Sequence, residues 1–322
     1  MRNFRVAAKT PPGYLLTMST HSIPLRAWID LFLLALLWGG SFLAVATALD
    51  EIGFLSSVAH RVLWATLILW GVVLWKGLPI PRAPRVWAAF LVMGLLNNVI
   101  PFSLMAWGQL SIESGLTSIL NAATAIWAVI VAALVFPDER LTTRRVIGVL
   151  LGFAGVAAAI GIHNLISFDI RSAAQIAVIA GTISYAFASS WGRLTLSGHP
   201  PLVAATGMLT GATVVLVPLA WLIEGPLPLS LAPATWSAIL FYAVASTAIA
   251  YILYYRILAA AGAGNLLLVT LLMPPIAIFL GAWIRGETLA PNAYLGLGLL
   301  AAGLLILDGR LGHAFGKLRQ SR

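Results

Sequence analysis

FPDERLTTRRVIGVLLGFAGV, residues 136–156, and IRGETLAPNAYLGLGLLAAGL, residues 284–304, are two copies of one segment set 148 residues apart. Glu139-Arg140-Leu141-Thr142 aligns with Glu287-Thr288-Leu289-Ala290, Gly148 with Gly296 and Gly155 with Gly303. Carried backwards at the same offset, Trp107 meets Tyr255. Each copy runs from a charged turn into an apolar stretch of helical length.

Outward from these copies, apolar runs of about 20 residues recur along the chain, each long enough to cross roughly 30 Å of hydrocarbon as a helix. The reading gives ten spans, at 28–49, 54–75, 86–108, 112–136, 144–162, 171–192, 201–223, 234–258, 264–284 and 291–308. The two copies fall on the fifth and tenth, so each half holds five spans. An odd number makes the second half enter the membrane from the opposite side. Such an inverted repeat lets the halves exchange conformations and turn an inward-facing state into an outward-facing one. The expected fold is an all-α membrane protein of ten transmembrane helices in two inverted five-helix repeats. Its parts are a tail at 1–27, a first repeat at 28–162, a second at 171–308 and a basic tail at 309–322.

The composition agrees. Of 322 residues, 61% are hydrophobic and 9% charged, with a mean hydropathy of +0.97, whereas soluble domains carry about 25% charge. Strands are excluded because a membrane β-barrel needs alternating polarity, and only helices otherwise satisfy their backbone in lipid. With no cysteine there is no disulfide, thiolate metal site or iron–sulfur cluster. The net charge of +9 reflects topology rather than nucleic-acid binding. With both termini cytoplasmic, every Lys and Arg except Arg171, Arg285 and Arg61 falls on the cytoplasmic side. The first span is too long, and followed by too many others, to be a cleaved signal peptide. Met18 is an alternative start.

The first span reads LLWGGSF, residues 36–42, and residues 97–132 read NNVIPFSLMAWGQLSIESGLTSILNAATAIWAVIVA, followed by DERLT. These motifs resemble the EamA family of the drug/metabolite transporter superfamily, over 31–161 and 171–308. The resemblance implies a ten-span carrier of the bacterial inner membrane, an exporter of amino acids or related metabolites. It also implies a cavity lined by spans 1, 3, 4, 6, 8 and 9, with spans 5 and 10 as scaffold. A small-molecule substrate and the lipid bilayer are the expected partners, a homodimer is compatible, and no cofactor is implied.

Polar side chains within a lipid-buried helix face the protein interior or a wet cavity. Thr117, Asn121 and Thr124 form one helical stripe, and Asn98, Pro101, Met105 and Gln109 another, with Asn97 beside it. Lining the substrate cavity competes with interhelical hydrogen bonding, worth about 0.6 kcal/mol on average. Tyr185, Tyr251 and Trp127 sit well inside their spans, where a hydroxyl or indole needs a partner. Trp38 and Ser41 belong to the first-span motif. Pro101, Pro274 and Pro275 remove backbone donors and make kinks, and with Trp127 they are candidate hinges or gates. Arg61, two turns into the second span, either snorkels outward or contacts an anionic substrate group. The charge then suits neutral or zwitterionic metabolites; multidrug or sugar-phosphate and nucleotide-sugar carriers are the alternatives. No HExxH, GxSxG or paired-aspartate arrangement supports an enzyme, and nothing resembles a channel filter. A receptor or scaffold leaves the repeat unexplained.

Overall fold

In the computed structural model, residues 25–139, 141–161, 169–266 and 268–308 are described, without the side chains of 262–265 and 308. Most of the expected N-terminal tail, with Met18, and also Arg140 and the tail 309–322 lie outside them. The described chain is helical, with no strand. Nine helices are long and apolar enough to cross a membrane: α1 (Leu25–Leu49), α2 (Phe54–Trp75), α3 (Pro84–Gly108), α4 (Ser114–Val135), α5 (Thr143–Ile160), α6 (Ile170–Thr195), α7 (Pro201–Glu224), α8 (Pro233–Ala261) and α9 (Leu268–Arg285). The last, α10 (Pro291–Asp308), is apolar over Pro291–Leu307, just short of that length.

Local chemistry sets the helix ends. Pro84, Pro201 and Pro233 open α3, α7 and α8, where a missing N–H costs nothing. The Asp169 carboxylate accepts from the Ser172 amide at 2.8 Å and caps α6. Gly77 and Gly225 follow α2 and α7 with φ of +60° and +91°, a conformation glycine adopts without strain. Their numbers differ by 148, so the repeat also fixes where these helices stop.

The packing is two-fold. If α1 to α5 exchange with α6 to α10, the contact of α1 with α8 becomes that of α6 with α3. Likewise α1–α9 becomes α6–α4, and α2–α8 becomes α7–α3. The pairs α2–α7, α4–α9 and α5–α10 map onto themselves, and all of these contacts are present. The repeats run in opposite directions. The start of α1 meets the end of α8 through Asp30 and Arg256 at 3.0 Å. The start of α6 meets the start of α4 at the other end, through Arg171 and Glu113 at 2.7 Å.

The pair α5–α10 packs backbone to backbone. A Cβ on Gly303 would stand 2.7 Å from the Gly148 carbonyl, and one on Gly155 would stand 2.6 Å from the Leu300 amide. Small residues let membrane helices approach this closely. The seam stands apart from a central space enclosed by the remaining helices.

Candidate functional site

Midway along the bundle lies a cavity of about 300 Å³, at the lower end of the usual range for small-molecule sites. Eight helices line it. Beyond the six implied by the resemblance, α2 contributes Ser57, Val58 and Arg61, and α7 contributes Met208.

Two helices depart from α geometry beside this cavity. Residues Leu95–Val99 of α3 form a π-helical segment, closed by the Ile100 amide on the Leu95 carbonyl. Pro101 follows it directly and has no amide to return to the Asn97 carbonyl. Residues Phe241–Ile249 of α8 form a second π segment, which contains the positions 148 residues beyond the first. Such segments concentrate at functional sites. The extra residue changes which side chains face inward. From α3 the lining takes Met93, Asn97, Phe102, Met105, Ala106 and Gln109, so the step from Asn97 to Phe102 is five residues rather than four.

The expected stripe of Asn98 and Pro101 is therefore rotated out of the lining set. Asn98 is 0% exposed and stands beside the Tyr251 hydroxyl, with neither amide atom in hydrogen-bond geometry. Pro101 packs where Gly181 leaves room for it. In α4, the turn at Ala122 and Ala123 tightens the chain, with the Ala123 amide on the Leu120 carbonyl at 3.0 Å. Asn121 and Thr124 flank this turn and line the cavity. Thr117, one turn earlier, is buried outside the lining set, and its hydroxyl donates to the Glu113 carbonyl at 3.0 Å.

Other expected residues are brought together. Asn97 Nδ2 donates to the Tyr251 hydroxyl at 3.1 Å. Trp38 Nε1 donates to the Ser246 carbonyl at 3.1 Å, tying α1 to the π segment of α8, and the Ser41 hydroxyl turns back to the Trp38 carbonyl at 2.7 Å. Tyr185 stands edge-on to Phe102, with centroids 6.5 Å apart. The acceptors Asn121 Oδ1, Thr124 Oγ1 and Gln109 Oε1 have no hydrogen-bond partner within the protein.

Arg61 points inward rather than toward an interface. Its Nε–H donates to Thr247 Oγ1 at 3.1 Å, and its guanidinium lies 4.1 Å from the centre of the Phe102 ring. The Thr247 hydroxyl in turn donates to the Tyr242 carbonyl, five residues back, at 2.7 Å. Sequence spacing gave no sign of Thr247; the π segment, which breaks α counting, is what turns it to Arg61.

The remaining gate and hinge candidates lie outside the lining set. Trp127 packs edge-on to Phe153 of α5 with centroids 4.9 Å apart. Pro274 is buried and Pro275 exposed, next to Met273, which does line the cavity.

The model of the EamA-like transporter family matches residues 26–161 and 172–307, once per repeat. The chain is 25% identical over 292 residues to an uncharacterized transporter of Archaeoglobus fulgidus, covering 88% of this chain and 99% of that one. It is also 25% identical over 282 residues to a "Probable terminal-alkyne amino-acid exporter" of Streptantibioticus cattleyicolor, covering 87% and 92%. A solved crystal structure superposes with a TM-score of 0.63 at 19% identity, over 89% of this chain and 98% of the other, and so shares its fold.

Proposed function

The chain belongs to the EamA-like transporter family, and from that premise we propose that it exports amino acids or related small metabolites by alternating access. The observation that carries this reading is the cavity between the two repeats, lined by Arg61, Asn97, Asn121, Thr124 and Tyr251. The polar side chains of Asn97, Asn121, Thr124 and Thr247 in the lining suit a solute with hydrogen-bonding groups. The aromatic wall of Trp38, Phe102, Tyr185 and Tyr254 suits an apolar body. Proline-marked α3 and α9 and the two π segments supply places where helices bend between inward- and outward-facing states.

Sugar phosphates and nucleotide sugars fit less well. Among the described residues Arg61 is the one Lys or Arg in the lining, and Arg256 is held by Asp30 at 3.0 Å. We place both termini in the cytoplasm of a bacterial inner membrane. Of the described charges, Arg26, Lys76, Arg82, Arg85, Arg144, Arg145, Arg193 and Arg256 share one end of the bundle.

Uptake into inside-out vesicles tests the reading, with a panel of labelled amino acids and Asn121→Ala as the companion variant. Transport of one or more members, reduced in Asn121→Ala, is expected. No transport of any member ends the amino-acid reading, and unimpaired transport by the variant ends this assignment of the cavity.

A further inference from the structure

Among the described residues, Arg61 is the one Asp, Glu, Lys, Arg or His in the cavity wall, and no ion pair includes it. Seven acids among the described residues are committed elsewhere, at the two ends of the bundle. Asp30 holds Arg256, Asp50 holds Arg285 and Glu113 holds Arg171. Glu139 holds Arg145. Glu51, Glu224 and Glu287 accept from backbone amides at helix starts. A cation in a wall of apolar and neutral polar side chains, left without a counter-charge, is costly. The face of Phe102 offsets only part of this, about 0.5–2 kcal/mol.

The guanidinium has five N–H donors, and Nε alone is used, on Thr247. Its two terminal nitrogens, the fork that grips a carboxylate through two parallel bonds, donate to no acceptor among the described residues. An ammonium group would meet the opposite situation, since no carboxylate among the described residues lines the wall. The thioethers of Met93, Met105, Met208 and Met273 surround the rest of the space and adapt to irregular apolar bodies.

We infer that the cavity selects a monoanion: an organic monocarboxylate with an apolar or aromatic body, gripped by Arg61 through its carboxylate, with an amino group dispensable. The inference rests on the carrier reading above and narrows it. Amino acids then enter by virtue of their carboxylate, and the deaminated acid of the same skeleton binds at least as well.

The test uses the purified full chain in nanodiscs and proteoliposomes, with three matched triads: 3-phenylpropionate, phenylalanine and phenethylamine; indole-3-propionate, tryptophan and tryptamine; 4-methylvalerate, leucine and isoamylamine. Binding is read by tryptophan fluorescence and transport by counterflow. In at least one triad the acid is expected to bind as tightly as the amino acid or more so, with the amine silent. Arg61→Gln is expected to weaken carboxylate binding by about 10- to 100-fold, and Arg61→Lys to fall between, having charge without the fork. The wild-type triads stand by themselves should either variant fail to fold.

If amino acids bind and transport while their deaminated acids do neither, the inference is overturned and the carrier reading survives. If the acids move and the amino acids do not, the inference stands and the amino-acid reading falls. Binding of amines in preference to acids, or of no carboxylate at all, overturns it.

Discussion

Glu224, the last residue of α7, reaches across the repeat boundary to α2, where its two carboxylate oxygens accept from the Leu55 and Ser56 amides at 3.0 and 2.8 Å. The N-cap of α2 is Gly53, which has no side chain to offer. A Cβ there would run into the Glu224 carboxylate. Glu224→Gln keeps one acceptor, turns an NH₂ toward an amide donor and removes the charge from a helix N-terminus. Hydrogen bonds to charged groups contribute about 1.5–3 kcal/mol, and the dipole term adds about 0.3–1 kcal/mol at an exposed site. Glu224 is half-buried, so the substitution should cost about 2 kcal/mol at the low end of those ranges. If this contact breaks when the cavity opens at that end, the opened state gains about thirtyfold in relative population, because about 1.4 kcal/mol is a factor of ten. The absence of native cysteine makes the assay clean. Val45→Cys places one thiol in the cavity wall, and a membrane-impermeant thiol reagent is applied from each face in turn. Faster labelling from the face bearing Glu224, with slower labelling from the other, is the expected outcome. Labelling unchanged on both faces, alongside a fall in melting temperature, would show that the cap only stabilises the fold and refute its role as a seal.

Other perturbations separate scaffold from site. Gly303→Ala puts a methyl 2.7 Å from the Gly148 carbonyl and 2.8 Å from the Gly152 amide. It should destabilise the α5–α10 seam by about 1–3 kcal/mol, lowering the melting temperature in detergent while transport per folded molecule is retained; an unchanged melting temperature would contradict the close packing. Asn121→Ala removes an acceptor that has no protein partner, so stability should hold within about 0.5 kcal/mol while transport falls. The Arg285 guanidinium holds the Asp50 carboxyl below the usual carboxylate range, chiefly by their hydrogen bond. The pair's contribution is therefore present above the unfolded carboxylate value of about 3.9 and lost as pH falls through the lower folded value. Both groups are substantially exposed, so Asp50→Asn should cost less than about 1 kcal/mol at neutral pH, and the difference from wild type in thermal melts should vanish in strong acid.

The sequence carried the parts of this fold that depend on hydrophobicity and repetition. Apolar runs gave the helices, and the repeat aligned Gly148 and Gly155 with Gly296 and Gly303, which the structure packs against one another backbone to backbone. Which side chains face the centre was less accessible, because stripe counting assumes 100° per residue throughout. A π segment in α3 adds a residue and turns Asn97 and Phe102 inward in place of Asn98 and Pro101. A tight turn in α4 separates Thr117 from Asn121 and Thr124. Pro101 was a visible sign of the first irregularity, since it cannot complete an α turn. Nothing comparable marks Ala122-Ala123. The direction of Arg61 depended on Thr247 and Phe102, side chains from two other helices, and pairwise placement across helices is absent from a single chain's periodicity.

The two-fold relation governs the backbone more strictly than the chemistry at its ends. At one end Glu224, Glu51 and Glu287 cap the starts of α2, α8 and α4. At the offset of 148, the positions corresponding to Glu224 and Glu51 hold Lys76 and His199. Glu287 corresponds to Glu139, which binds Arg145 and Arg193 rather than a helix start. Of the helices at that end, α7 begins with proline where its counterpart α2 does not, which leaves one fewer amide to satisfy, while α3 and its counterpart α8 both begin with proline. A carboxylate on a helix N-terminus and an exposed arginine pair differ in strength and in salt sensitivity. Equivalent motions of the two halves therefore break unequal contacts. The glutamate end also carries the pairs Asp50–Arg285 and Glu113–Arg171, so raising ionic strength should weaken contacts at both ends, and the end bearing Arg193, which among the described residues has no glutamate on a helix start, should lose more. The thiol-labelling assay at rising salt measures that difference directly, and equal salt dependence from the two faces would contradict it.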